Sequence, residues 1–204
     1  MKLTVLVENI SRDPALAQQF GLSVLVEYGG RKILFDTGID DAFARNAQQL
    51  GVDLSQVDLC VISHAHEDHA GGLWEFLRRN DHAPIYLREE AKGAYYASYD
   101  GVDHDVGVDR ALFSAAPRRF VFTREDTLLF PGCRLIGGFA DHDRYGVLDA
   151  RLMMESPQGL VRDAFRHEQA MILELSQGLL LLSGCSHNGI ANIIDAVEAR
   201  CSQP

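Results

Sequence analysis

Short apolar runs separated by turn signals dominate the first third of the chain. "KLTVLVE", "LSVLVEY" and "KILFDTG" predict strands at 2–8, 22–28 and 31–36, the last two joined as a hairpin across "YGGRK". The period then changes: "IDDAFARNAQQLGVD" predicts an amphipathic helix near 41–50, capped by Asp40 or Asp41 and stopped at Gly51. "VDLCVIS" predicts a buried strand near 57–62. After it, Leu73, Trp74, Phe76 and Leu77 recur at helical spacing, the mark of a stripe packed against a core.

Further on the pattern is less regular. A short strand is expected near 84–87, a helix near 88–98, and then a loop rich in Asp and Gly. "RFVFT", "TLLF" and "CRLIGGF" read as strands, whereas "GFADHDRYGVLDARLMMESPQGLVRDAF" reads as a long excursion without periodicity, the kind of segment that carries function in a compact domain. "QAMILEL" and "GLLLLSG" make a hairpin across "SQG", and "NGIANIIDAVEARC" closes the chain as an amphipathic helix. Periodicity alone therefore gives a fold of class α/β or α+β.

Composition narrows the function classes. A chain of 204 residues, 47% hydrophobic and 24% charged, suits a single globular domain spanning 1–204. The formal net charge of −10, with no Lys/Arg run, argues against a nucleic-acid surface. No stretch reaches the roughly 20 apolar residues of a membrane helix, and "MKLTVLVENIS" is too short and polar for a secretory signal, so a cytoplasmic protein with no membrane partner is expected. Cys60, Cys133, Cys185 and Cys201 form no CxxC pair and are read as buried, reduced thiols, Cys185 lying two residues from His187.

The chemistry is concentrated in "SHAHEDHAGG", Ser63 to Gly72, directly after a buried strand. In an extended loop His64 and His66 lie on one side, and Asp68 and His69 occupy the turn into the next helix. Imidazoles with a carboxylate are a ligand set for Zn²⁺, Fe or Mn²⁺.

This motif resembles the HxHxDH signature of the metallo-β-lactamase fold superfamily. "LFDTG" is similar to the superfamily's first motif, and "LLSGCSHNGI" to the segment carrying its last metal histidine. The resemblance implies a four-layer αββα sandwich with a site for two divalent metal ions, most simply Zn, with Fe or Mn as alternatives. It assigns His64 and His66 to the first metal and Asp68, His69 and His187 to the second, Asp68 and His187 being the catalytic pair among them. Asp36 would hold the loop by hydrogen bonds without touching metal. The third-motif histidine lacks its usual string, and His142 is the histidine near the expected place. At the fourth motif "FRHEQAMILEL" sets His167 and Glu168 where a bridging aspartate is expected. Neighbours at a strand start point opposite ways, so one of the two is expected to face the metals. His82 and His104 are expected in solvent.

"VLVEN", "FGLSVLVEYGGRKILFDTG", "HEQ" and "SGCSHNGIANII" resemble the branch containing the 7,8-dihydropterin-6-methyl-4-(β-D-ribofuranosyl)aminobenzene-5′-phosphate synthases, many of which read "DDQAL" in place of "HEQAM". The expected activity is hydrolysis of a small, anionic ester, thioester, lactone or phosphoester by a metal-bound hydroxide. The alternatives are a synthase or transferase acting on a phosphorylated dihydropterin-type precursor, for which Tyr95, Tyr96, Tyr99 and Arg88 are the hints, and a metal-binding sensor without turnover. The expected partner is a small-molecule substrate; the oligomeric state stays open.

Overall fold

The computed structural model describes residues 1–139 and 149–201. In chain order the strands begin with β1 (Lys2–Val7), β2 (Ser23–Tyr28) and β3 (Arg31–Phe35), followed by helix α1 (Ala42–Gln49) and β4 (Leu59–Val61). Short helices α2 (Glu67–Ala70) and α3 (Leu73–Arg79) lead to β5 (Ile85–Arg88), β6 (Tyr95–Tyr99), β7 (Val102–Asp105) and helix α4 (Ala111–Ala115). Then come β8 (Phe120–Thr123), β9 (Thr127–Phe130), β10 (Cys133–Gly137), β11 (Leu152–Ser156), β12 (Gly159–Arg162), β13 (Gln169–Leu175), β14 (Gly178–Leu182) and helix α5 (Ile190–Arg200). The result is a mixed α/β fold with several sheets, organised as two compact units.

The first unit comprises Met1–Leu87 and Val108–Phe122. Its sheet runs β1-β2-β3-β4-β5-β8. The β2–β3 hairpin turns on Gly29 and Gly30, both at positive φ, as the tightest two-residue turn demands. β3, β4 and β5 then run parallel, each return made through helical segments. Val26, Ile33, Leu34, Phe43, Val61, Phe76 and Ile85 are fully buried and form its interior. Because β3 and β4 are parallel neighbours in the register Phe35↔Val61, the residues that leave their carboxyl ends, Asp36 and Ser63 with His64, emerge side by side. Carboxyl ends of parallel strands are where open α/β sheets bind ligands.

The second unit comprises Arg88–Gly107 and the described part of Thr123–Pro204. It holds two four-stranded sheets, β14-β13-β10-β9 and β12-β11-β6-β7. Helix α5 packs through Ile193 and Val197 onto Ile136, Phe139, Ala170 and Ile172.

Two expectations change here. The segment expected as a helix near 88–98 is a single 3₁₀ turn at Glu89–Lys92 followed by strand β6. "YYASY" favours a strand, and Asp100 and Gly101, both at positive φ, close a hairpin with Tyr99 opposite Val102. The excursion without periodicity contains the β11–β12 hairpin, whose strands lie half-exposed or exposed and so lack an apolar rhythm.

Candidate metal centre

The first unit gathers most of the motif residues. Asp36 leaves β3 at φ 60, fully buried, and its carboxylate accepts hydrogen bonds from Ser63 N–H at 2.6 Å and from the Ser63 hydroxyl at 2.7 Å. His69 Nδ1 lies 2.7 Å from the same carboxylate. An ionised carboxylate only accepts, so His69 carries its proton on Nδ1 and turns the Nε2 lone pair away from Asp36. Ser63 spends its single hydrogen on Asp36, so its oxygen accepts from His64 Nδ1, 2.9 Å away. His64 is thereby fixed in the same tautomer as His69. One carboxylate and one hydroxyl thus set both imidazoles.

The donors converge. The ligand atoms of His64, Asp68 and His69, all buried, lie within 4.8 Å of one another. His69 Nε2 is 3.3 Å from an Asp68 oxygen. The His64 ring is 4.7 Å from that of His66 and 4.3 Å from that of His69, centroid to centroid. Burial pushes the Asp68 carboxyl up, but the neighbouring His69 and His66 outweigh it and hold the group below its usual range. Neutral imidazoles beside an ionised carboxylate form the donor set of a divalent transition-metal ion, so these residues fit the metal that the sequence motif implies.

Close backbone contact fixes the loop that carries them. Thr37 N–H and Thr37 Oγ1 both donate to the His69 carbonyl, at 2.8 and 3.0 Å, and Gly72 N–H donates to the Gly38 carbonyl at 3.1 Å. A Cβ on Gly71 would overlap the Ile39 carbonyl, and one on Gly72 the Thr37 carbonyl. The glycines of "HAGG" are thus explained by "DTGI" lying on top of them.

The second unit carries the remaining sequence-selected residues. His167 is buried, with Nε2 3.0 Å from Asp163 Oδ2 and its ring 4.1 Å from that of Tyr95. Burial drives the Tyr95 hydroxyl above its usual range, with Asp163 and Glu90 adding to the shift. Glu168, also fully buried, accepts hydrogen bonds from His187 N–H, Asn188 N–H and Asn188 Nδ2 at 2.8, 2.8 and 2.6 Å. The His187 ring stacks on Phe165 at 4.5 Å with an interplanar angle of 6°. His167 and Glu168 thus have different partners, and both lie in the turn that precedes β13, where Glu168 N–H donates to the Phe165 carbonyl at 3.1 Å. Cys185 is exposed on the same loop as His187. His142 lies outside the described residues, and His82 and His104 are exposed.

Sequence reasoning did not single out Asp163 or the role of Ser63. A carboxylate four residues before His167 was the available signal for the first. Nothing in the string "SHAH" distinguishes the second from a linker residue.

The α/β fold thus carries, at the end of parallel strands, a buried cluster of imidazoles and a carboxylate that could hold a metal ion. The profile of the metallo-beta-lactamase superfamily matches residues 17–154, and the chain belongs to that superfamily. It is 25% identical over 189 residues to the 7,8-dihydropterin-6-methyl-4-(beta-D-ribofuranosyl)-aminobenzene-5'-phosphate synthase of Methanocaldococcus jannaschii, covering 86% of this chain and 64% of that enzyme. The chain thus spans less than two thirds of that relative's length. A metal-dependent hydrolase of the beta-lactamase superfamily superimposes with a TM-score of 0.78 at 28% identity, covering 97% of this chain and 70% of the other. A quorum-quenching N-acyl homoserine lactone lactonase shares the fold at a TM-score of 0.53 and 15% identity, over 88% of this chain and 75% of its own. The α/β sandwich expected from the motifs is the fold of this superfamily.

Proposed function

We propose that the protein is a metal-dependent hydrolase acting on a small, anionic ester, thioester, lactone or phosphoester. The observation that carries this reading is the convergence of His64, Asp68 and His69 behind the Asp36–Ser63 network. On the superfamily signature, His64 and His66 would hold one divalent ion and Asp68, His69 and His187 a second, with Zn the first choice and Fe or Mn the alternatives. Such ions supply Lewis-acid polarisation of a carbonyl or phosphoryl oxygen and a water of lowered pKa. Asp68, kept ionised, orients an attacking water and accepts its proton. The tautomers set for His64 and His69 would leave one ring nitrogen of each free of its proton to bind such an ion. The substrate is a small molecule, in line with the acidic net charge of −10.

A second reading, a synthase handling a phosphorylated dihydropterin-type precursor, draws on the 25% identity to the archaeal synthase. The "HEQ" that stands for "DDQ" argues against it. The test is a substrate panel of lactones, thioesters, phosphomonoesters and phosphodiesters assayed with protein of measured metal content. Hydrolysis of one class, lost by at least about a thousandfold on His66→Ala or Asp68→Ala with the fold retained, is expected. Turnover surviving in both variants refutes the assigned roles.

A further inference from the structure

We infer that Glu168 is a positioning residue: its carboxylate clamps the His187 loop in the metal-receiving conformation and does not itself take a metal. This deepens the metal-centre reading and rests on it for the role of His187. The topology puts the two segments together, since β13 and β14 are antiparallel partners and the start of one lies beside the end of the other. Glu168 immediately precedes β13, and His187 and Asn188 follow β14.

The carboxylate's hydrogen bonds decide its role. A carboxylate offers about four lone-pair sites. Three are filled at 2.6–2.8 Å: Oε1 by His187 N–H, and Oε2 by Asn188 N–H and Asn188 Nδ2. Both oxygens are thus engaged by donors, and two of these are successive backbone N–H groups, an arrangement that recognises an anion. A bridging ligand would have to surrender some of these donors in a fully buried place, where unmade hydrogen bonds are costly.

The same loop is held from a second side. Phe165, a bulky residue at φ 48, presents its carbonyl to Asn188 Nδ2 at 3.0 Å and its ring to the His187 imidazole. Bulky residues adopt positive φ rarely, and such conformations persist where the surroundings impose them. Glu168 fixes the His187 backbone and Phe165 fixes the plane of its ring, so the direction of the imidazole is set by groups that need no metal.

Amide hydrogen exchange on the chelator-stripped full chain tests the clamp independently of metal. In Glu168→Gln an amide NH₂ must face N–H donors, so the amides of His187 and Asn188 should exchange at least about tenfold faster than in the parent, with β13 unchanged. Unaltered exchange at those amides overturns the inference. Asn188→Ala, which removes one donor to Glu168 and leaves every candidate ligand side chain in place, should loosen the same amides more mildly and serves if Glu168→Gln does not fold. Glu168→Asp, which keeps the carboxylate, should restore part of the protection.

Metal binding gives the complementary readout. Saturated with Co²⁺, Glu168→Gln should hold as many ions as the parent, with unchanged absorption bands and an affinity about 10–100-fold weaker. Loss of one equivalent at saturation, or shifted bands, makes Glu168 a ligand and overturns the inference. A parent protein that binds no metal refutes the metal-centre reading and leaves the exchange result standing.

Discussion

Ser63 gives its hydroxyl hydrogen to Asp36 and receives one from His64, so Ser63→Ala removes two buried hydrogen bonds at once. The expected cost is about 1–3 kcal/mol in denaturant unfolding of the metal-free protein, because the His64 ring N–H is left without its acceptor. The same variant should weaken metal binding by about 10–100-fold in competition with a chelator, since the imidazole direction is no longer fixed. Wild-type affinity in Ser63→Ala would show that the tautomer argument is wrong. The donors themselves were legible as residue types in "SHAHEDH". Ser63 was not, because the chemistry of a hydroxyl depends on which neighbours face it, and only the parallel pairing of β3 with β4 brings Asp36 there.

Among the elements, two glycines give a sharp contrast. Gly72 has ordinary backbone angles but no room, because the Thr37 carbonyl occupies the place of its Cβ, whereas Gly101 sits at φ 77 with open space around it. Gly72→Ala should therefore cost at least about 1–3 kcal/mol through forced backbone shifts. Gly101→Ala should cost about 1 kcal/mol, from its left-handed conformation alone. Thermal unfolding of the two variants, with metal content measured in each, checks the order; equal destabilisation would mean that the "DTGI" and "HAGG" segments are not locked together. β2 to β5 were legible from their runs of buried apolar residues, and β1 from its β-branched run although Leu3 and Val5 are exposed. β6 was misread since the helix-favouring "REEAKGA" runs straight into it, and the deciding signal, Asp100-Gly101, lies outside the strand. β11 and β12 escaped detection because a strand exposed on both faces carries no period to detect.

For the molecule as a whole, two buried thiols shape the response to alkali. Burial, with Asp36 adding to it, raises Cys60 well above the usual thiol range, and burial pushes Cys133 up to about 12. Both stay protonated in the folded chain after they have ionised in the unfolded one. Their contribution to stability is therefore intact below the unfolded thiol pKa of about 8.5 and declines as pH rises above it. Unfolding free energies measured from pH 7 to 10 should fall, and Cys60→Ala should flatten that decline whatever its effect at pH 7. An unchanged slope would contradict the burial argument. All four thiols were expected to be buried; Cys60 and Cys133 are, whereas Cys185 is exposed and Cys201 half-buried, since burial follows from the sheets and not from spacing. Membership in the superfamily was legible from three short motifs at strand ends, because they set metal-ligand residue types at a recognisable spacing. The division into two compact units left no trace in composition, as no linker separates them.

The hydrogen bonds of Asp36 to Ser63 and His69 are made entirely by protein atoms. The expectation that follows is that this half of the centre is already assembled in the metal-free protein. Uptake by stripped protein should follow simple second-order kinetics, its rate proportional to ion concentration with no plateau from a slow rearrangement in stopped-flow mixing. Asp36→Ala should introduce such a plateau. The protein would then behave as a waiting receptor whose speed of activation is governed by the supply of metal.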